Sequence, residues 1–161
     1  MADKGLFRVT PESYGPSYQS HLLEQYKLYV QMANHVSERR TSANNYLITV
    51  NGFLVTLYTL AGSVRALSDK PIWLYVVPLA GLVICIAWAA LIASHRNLNT
   101  VKFEVIHELE ARLPAALYAH EWDVAERGKG ARYLPVSHVE PAIPWTFAAL
   151  YLVLMVAVPR F

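Results

Sequence analysis

The chain has 161 residues, 55% of them hydrophobic and only 16% charged, with a positive mean hydropathy of +0.26; a soluble domain is about a quarter charged, so this is too apolar a mix for an ordinary one. Its net charge of +2 comes from 14 Lys and Arg scattered among 12 acids, which leaves no basic stripe for a phosphate backbone and excludes nucleic acid as a partner. The single cysteine, Cys85, lies inside an apolar run, which excludes an intrachain disulfide and a multi-cysteine zinc site and casts it as a small packed hydrophobe.

Residues 1–16 are polar and carry Pro11, Pro16, Gly5 and Gly15; they read as a flexible N-terminus without the apolar core of a signal peptide, so the first span is expected to serve as its own anchor. Residues 17–41 read as an amphipathic helix, because Leu22, Tyr26, Tyr29, Ala33 and Val36 recur at steps of four and three. No Gly or Pro falls between Ser17 and Gly52, so that helix is expected to run on into a first span, Ser42–Gly62, of 21 uncharged residues. An outer loop, 63–71, leads to a second span, Ile72–Ser94, of 23 uncharged residues. Each matches the roughly 20 residues that cross about 30 Å of hydrocarbon. The second helix is expected to continue beyond the membrane, since Leu98, Val101, Val105, Leu109 and Arg112 keep helical spacing until Pro114 stops it.

The remainder of a helical segment spanning 95–142 is mixed, with a turn expected at Gly128 and Gly130 and a capping box at Ser137–Glu140. A third span, 143–158, has only 16 residues, but Trp145 and Arg160 flank it as interfacial anchors. Its alternative is an interfacial helix, and residues 159–161 close the chain. Arg39, Arg40, Arg96 and Lys102 outnumber Arg65 and Lys70, which places the N-terminus and the 95–142 segment in the cytoplasm by the positive-inside rule.

Read as a helix, the first span carries Ser42, Asn45, Thr49, Gly52, Thr56, Thr59 and Ser63 in one seam of small or polar residues, flanked by Asn44, Asn51 and Tyr58, seven apart. Polar groups at membrane depth need partners or water, so this face is not expected to meet lipid. Three readings stand open: packing between helices, a hydrated path lined by copies of the span, and hydroxyls bonded back to their own backbone. A single chain has only two other spans to cover the seam, which favours self-association. In the second span Gly81, Cys85, Ala89 and Ala93 recur every fourth residue as a close-packing ridge, and Pro78 is expected to act structurally or, alternatively, as a hinge.

No serine elbow, phosphate loop or dinucleotide turn is present, and no acid lies within a span, which argues against proton-coupled transport. Glu104, His107 and Glu108 share a helix side but lack metal-site spacing and read as a solvated face; His95 reads as an interfacial histidine, with pH sensing as the alternative. The chain is therefore expected to be no enzyme and to bind no cofactor or metal.

The stretches "YKLYVQMANHVSERRTSANNYLITVNGFL", "HRNLNTVKFEVIHELEARLP", "YAHEWD" and "YLPVSHVEPAIPW", in that order, resemble the RipA-like family of small bacterial integral membrane proteins, described as octameric. The matching positions are Tyr26, Lys27, Arg39, Arg40, Asn44, Asn51, Asn97, Asn99, Lys102, Phe103, Glu108, Pro114, Glu121 and Trp122. The resemblance implies a homo-oligomer, an octamer, of the bacterial inner membrane with no assigned chemistry. Alongside it, Arg39 and Arg40 are expected to meet Glu108 or Glu121 of the same or a neighbouring chain, or else lipid headgroups, and Asn97 and Asn99 to bridge adjacent backbones. The expected fold is thus all-α, a multi-spanning helical membrane protein with three transmembrane helices and a cytoplasmic helical layer, assembled symmetrically. Its expected partners are itself, membrane lipid and, if it is a scaffold or effector rather than a structural or channel-like ring, a cytoplasmic protein.

Overall fold

The computed structural model describes residues 5–63, 72–125 and 139–157. These form helices α1 (Pro11–Tyr14), α2 (Tyr18–Ser63), α3 (Ile72–Glu110), α4 (Leu117–Val124) and α5 (Ala142–Ala157), with no strand among the described residues. The outer loop beyond Ser63, the turn at Gly128 and Gly130, the Ser137 end of the capping box and the C-terminus lie outside the described residues.

The amphipathic N-terminal segment and the first apolar run are one helix, α2, of 46 residues. At 1.5 Å per residue it is about 69 Å long, more than twice the thickness of a bilayer core. The second apolar run likewise continues without a break in α3, 39 residues with Pro78 inside. That helix ends at Glu110, ahead of Pro114, with the carbonyls of His107, Leu109 and Glu110 accepting from Ala111, Arg112 and Leu113 in a tightening last turn. Among the described residues α3 alone is both long and apolar enough by itself to cross a membrane. Helix α5 has 16 residues, and the uncharged part of α2 carries amide, hydroxyl and glycine positions throughout.

Two compact units divide the described chain, one from 5–38 and 96–125 and one from 39–63, 72–95 and 139–157. In the first, Tyr18, Leu22 and Leu109 are buried, with Phe7, Tyr26, Tyr29, Val105 and Leu113 packed around them. The face expected from Leu98 and Val101 is corrected here. Both are exposed, and the inward positions of this part of α3 are Lys102, Ile106 and Leu109. Lys102 can hold an inner position because its stem packs while its ammonium lies 4.7 Å above the Tyr29 ring, a cation–π contact that satisfies the charge. Arg112, though exposed, lays its guanidinium 3.5 Å over the Phe7 ring and donates to the Tyr18 hydroxyl at 3.1 Å.

In the second unit, α3 turns Pro78, Gly81, Cys85, Trp88 and Ile92 inward. Their steps of three and four are the spacing at which a helix keeps one seam on its neighbours. Cys85, Ala148 and Tyr151 form the buried centre, ringed by Leu54, Val55, Leu82, Phe147 and Leu154. All three helical segments of the unit thus contribute to one core.

Candidate functional site

The seven-residue recurrence of Asn44, Asn51 and Tyr58 acquires its meaning in this core. All three are buried, and each bonds another helix of the unit. Trp88 donates its indole N–H to Asn44 Oδ1 at 2.8 Å. Asn51 is fully enclosed: its amide nitrogen donates to the Leu47 carbonyl at 2.8 Å, while its Oδ1 accepts from the Tyr151 hydroxyl at 3.0 Å and, weakly, from the Cys85 thiol at 3.5 Å. Tyr58 donates to the Leu154 carbonyl at 3.5 Å. These polar groups are turned inward and satisfied by partners, the condition under which they persist in an apolar surrounding.

Gly81 belongs to the same arrangement. A Cβ built there would run into the ring of Tyr151, so the glycine is what lets Tyr151 reach Asn51. Of the expected ridge, Gly81 and Cys85 are buried, Ala89 is half-buried and Ala93 is exposed. Trp88, one turn on from Cys85, takes the contact that the ridge would have given to Ala89 and packs on Phe147 with ring centroids 6.2 Å apart.

The seam itself points outward. Ser42, Asn45, Thr49, Gly52, Thr56 and Thr59 are all exposed in the protomer; Ser63 is helical. Three hydroxyls bond back along the helix, Thr49 to the Asn45 carbonyl at 2.9 Å, Thr56 to the Gly52 carbonyl at 2.9 Å and Thr59 to the Thr56 carbonyl at 2.8 Å. Gly52 has nothing within 4 Å of a Cβ position. By contrast, the outward residues of the other two helices in this unit are mostly large and apolar, among them Trp73, Leu79, Val83 and Ile86 on α3 and Trp145, Val153 and Val156 on α5.

Residues 42–60 fall into a sevenfold register. Ser42, Thr49 and Thr56 make one column, Asn45, Gly52 and Thr59 a second, Tyr46, Phe53 and Leu60 a third, and the buried Asn44, Asn51 and Tyr58 a fourth. At 3.5 residues per turn the hydroxyl column lies about 150° around the helix from the buried one, with the other two about 50° to either side of it. The sequence shows this repeat, but only burial shows that the column first taken as a flank is the inward face.

Beside this unit's apolar core, Arg40 Nη1 lies 3.5 Å from Glu140 Oε2 with both side chains largely buried. Neither Arg40 Nε nor Glu140 Oε2 makes a hydrogen bond, so charge rather than a formed bond holds the pair. Arg39, Glu108, Glu121 and Asn97 are exposed, and Asn99 is half-buried. Glu140 was not among the acids expected to meet these arginines; its signal was its place just before the last apolar run.

The acid that organises the first unit is Glu110, also not anticipated. Its side chain is 1% exposed and accepts from the Tyr26 hydroxyl at 2.9 Å and from the Tyr118 and Ala119 amides at 2.9 and 3.1 Å. These amides are among the orphan donors at the start of α4, whose own N-cap, Ala116, offers no side-chain acceptor; the carboxylate caps the helix from a preceding one. Burial and this carboxylate push the Tyr26 hydroxyl up to about 12. A Glu four residues after the buried Ile106 was the available signal. Glu104 is exposed and His107 is half-buried against Phe103; among the described residues no three His, Cys, Asp or Glu side chains gather as metal ligands would.

The family model described as the octameric membrane protein family (8xMP) matches residues 23–158. No curated protein and no solved structure matches the chain.

Proposed function

Because the chain belongs to the octameric membrane protein family, we propose that it assembles as a homo-octamer of the bacterial cytoplasmic membrane in which the outward polar columns of α2 face other copies and line a path along the symmetry axis. The observation that carries this reading is the division of polar groups on α2. The buried column is satisfied inside the protomer, whereas the seam from Ser42 to Thr59 stays exposed and would set an Asn amide and a bare glycine backbone against lipid in a lone copy.

In this reading three segments cross the bilayer, 42–62, 72–94 and 142–157. The first is polar because it is shielded by other copies. The third, about 24 Å long at 1.5 Å per residue, is short but has Trp145 for an interfacial anchor. The N-terminal part of α2 and the segment after α3 lie in the cytoplasm, as the distribution of Lys and Arg favours. The path is uncharged and lined by hydroxyls, and the protein is no enzyme.

The test is solute and ion flux in liposomes with Thr49→Leu and Thr56→Leu. Loss of flux with an unchanged particle mass supports a path; wild-type flux in both variants overturns it. Asn51→Leu is unsuited to this purpose, because it breaks the inward network instead. A second reading, a scaffold for a cytoplasmic protein, draws on the exposed Leu117, Trp122 and Val124 of α4; Trp122→Ser abolishing a specific co-purifying protein would favour it.

A further inference from the structure

The sevenfold register of α2 also says which surfaces meet. We propose that neighbouring copies join through unlike faces of this one helix, the large column Tyr46, Phe53 and Leu60 of one copy seating over the small column Asn45, Gly52 and Thr59 of the next, with Ser42, Thr49 and Thr56 left facing the axis. This rests on the octameric reading above and adds to it the identity and polarity of the contact.

Three observations converge on it. Tyr46, Phe53 and Leu60 are large side chains exposed at 68, 61 and 57%, and they protrude at the same seven-residue interval at which the small column recedes. At the middle of the small column Gly52 meets nothing within 4 Å of a Cβ position, so its backbone is open to close approach by a side chain of another copy. Asn45 finds no side-chain partner among the described residues of its own protomer, whereas the Tyr46 hydroxyl of an adjacent copy at the same depth is a donor that an amide oxygen accepts from.

Symmetry requires unlike faces. Copies inserted with one topology run parallel, and a closed ring of more than two repeats a contact between two different patches, since a like-to-like patch pairs two subunits and stops. The two columns lie about 100° apart around the helix at 3.5 residues per turn, on either side of the hydroxyl column. They therefore point to two different neighbours. Lipid as the occupant of the large column would leave the small column beside it uncovered, with its amide and glycine backbone in hydrocarbon.

The experiment is oxidative cross-linking of the full-length protein in membranes, in a Cys85→Ala background confirmed by particle mass. Gly52→Cys and Phe53→Cys are made singly and together. The proposal expects neither single variant to form disulfide dimers and the double variant to give a ladder of multimers that stops at the closed ring. Efficient dimers from Phe53→Cys alone, or no ladder from the double variant in a particle of octameric mass, overturn it. Should the glycine site not tolerate the change, Asn45→Cys with Tyr46→Cys tests the same contact one repeat away, with the same two outcomes. A particle that is monomeric by mass in several mild detergents overturns the octameric reading itself and is thereby distinguished from a failure of the contact alone.

Discussion

Neighbouring asparagines in α2 have opposite environments, and the difference is one of angle. Asn44 and Asn51 turn inward and are held by Trp88, Tyr151 and Cys85, while Asn45, one residue along, faces out. Composition marked all of them as unusual for an apolar run, and spacing separated them into a seam and a flank. What spacing alone did not supply was which side the rest of the chain occupies, because that depends on Trp88 and Tyr151, whose polar tips carry no periodic signal of their own. Glycines show the same contrast. Gly81→Ala forces the Tyr151 ring away from Asn51 and is expected to destabilise the protomer by about 1–3 kcal/mol, read as a lower midpoint of thermal unfolding in detergent. Gly52→Ala meets open space within the protomer and is expected to leave that midpoint unchanged while shifting the particle-mass distribution toward smaller assemblies.

The two long helices were the most legible elements, since neither run contained a breaker at the point where amphipathic sequence met uncharged sequence. Helix α4 was not read from the sequence, because its N-terminus is capped by Glu110 rather than by a local side chain. Glu110→Gln keeps the shape but removes the charge that the helix start favours and one of the two strong acceptor oxygens. Faster hydrogen exchange at the Tyr118 and Ala119 amides, with α2 unaltered, is the expected result. The Tyr26 hydroxyl gives a second handle on this corner. Its native pKa of about 12 lies above the ordinary 10.0, so the folded state holds the proton that the unfolded state releases first. Its contribution is complete below pH 10 and is lost as pH rises toward 12. Lower stability below pH 10 and a shallower fall between pH 10 and 12 in Tyr26→Phe are the measurements that check this.

At the scale of the whole molecule, family membership and the all-helical fold agree with what the sequence implied, and membrane residence follows from the family together with α3. The first apolar run is the instructive case. In the proposed assembly it too crosses the membrane, and its polar columns, set among apolar residues, make it less apolar than α3 because other copies rather than lipid cover that face. Light scattering of the detergent-solubilised particle is expected to give one species of about eight copies, in keeping with the family's name.

The inward bonds of Asn44, Asn51 and Tyr58 set an order of events. A copy closes Asn44, Asn51 and Tyr58 within itself and so has a finished core before it meets another, whereas in the proposed ring its outward Asn45 and Gly52 wait for a neighbour to cover them. That open column makes a lone copy costly in hydrocarbon, so rings would give way to protomers only at extreme dilution into lipid.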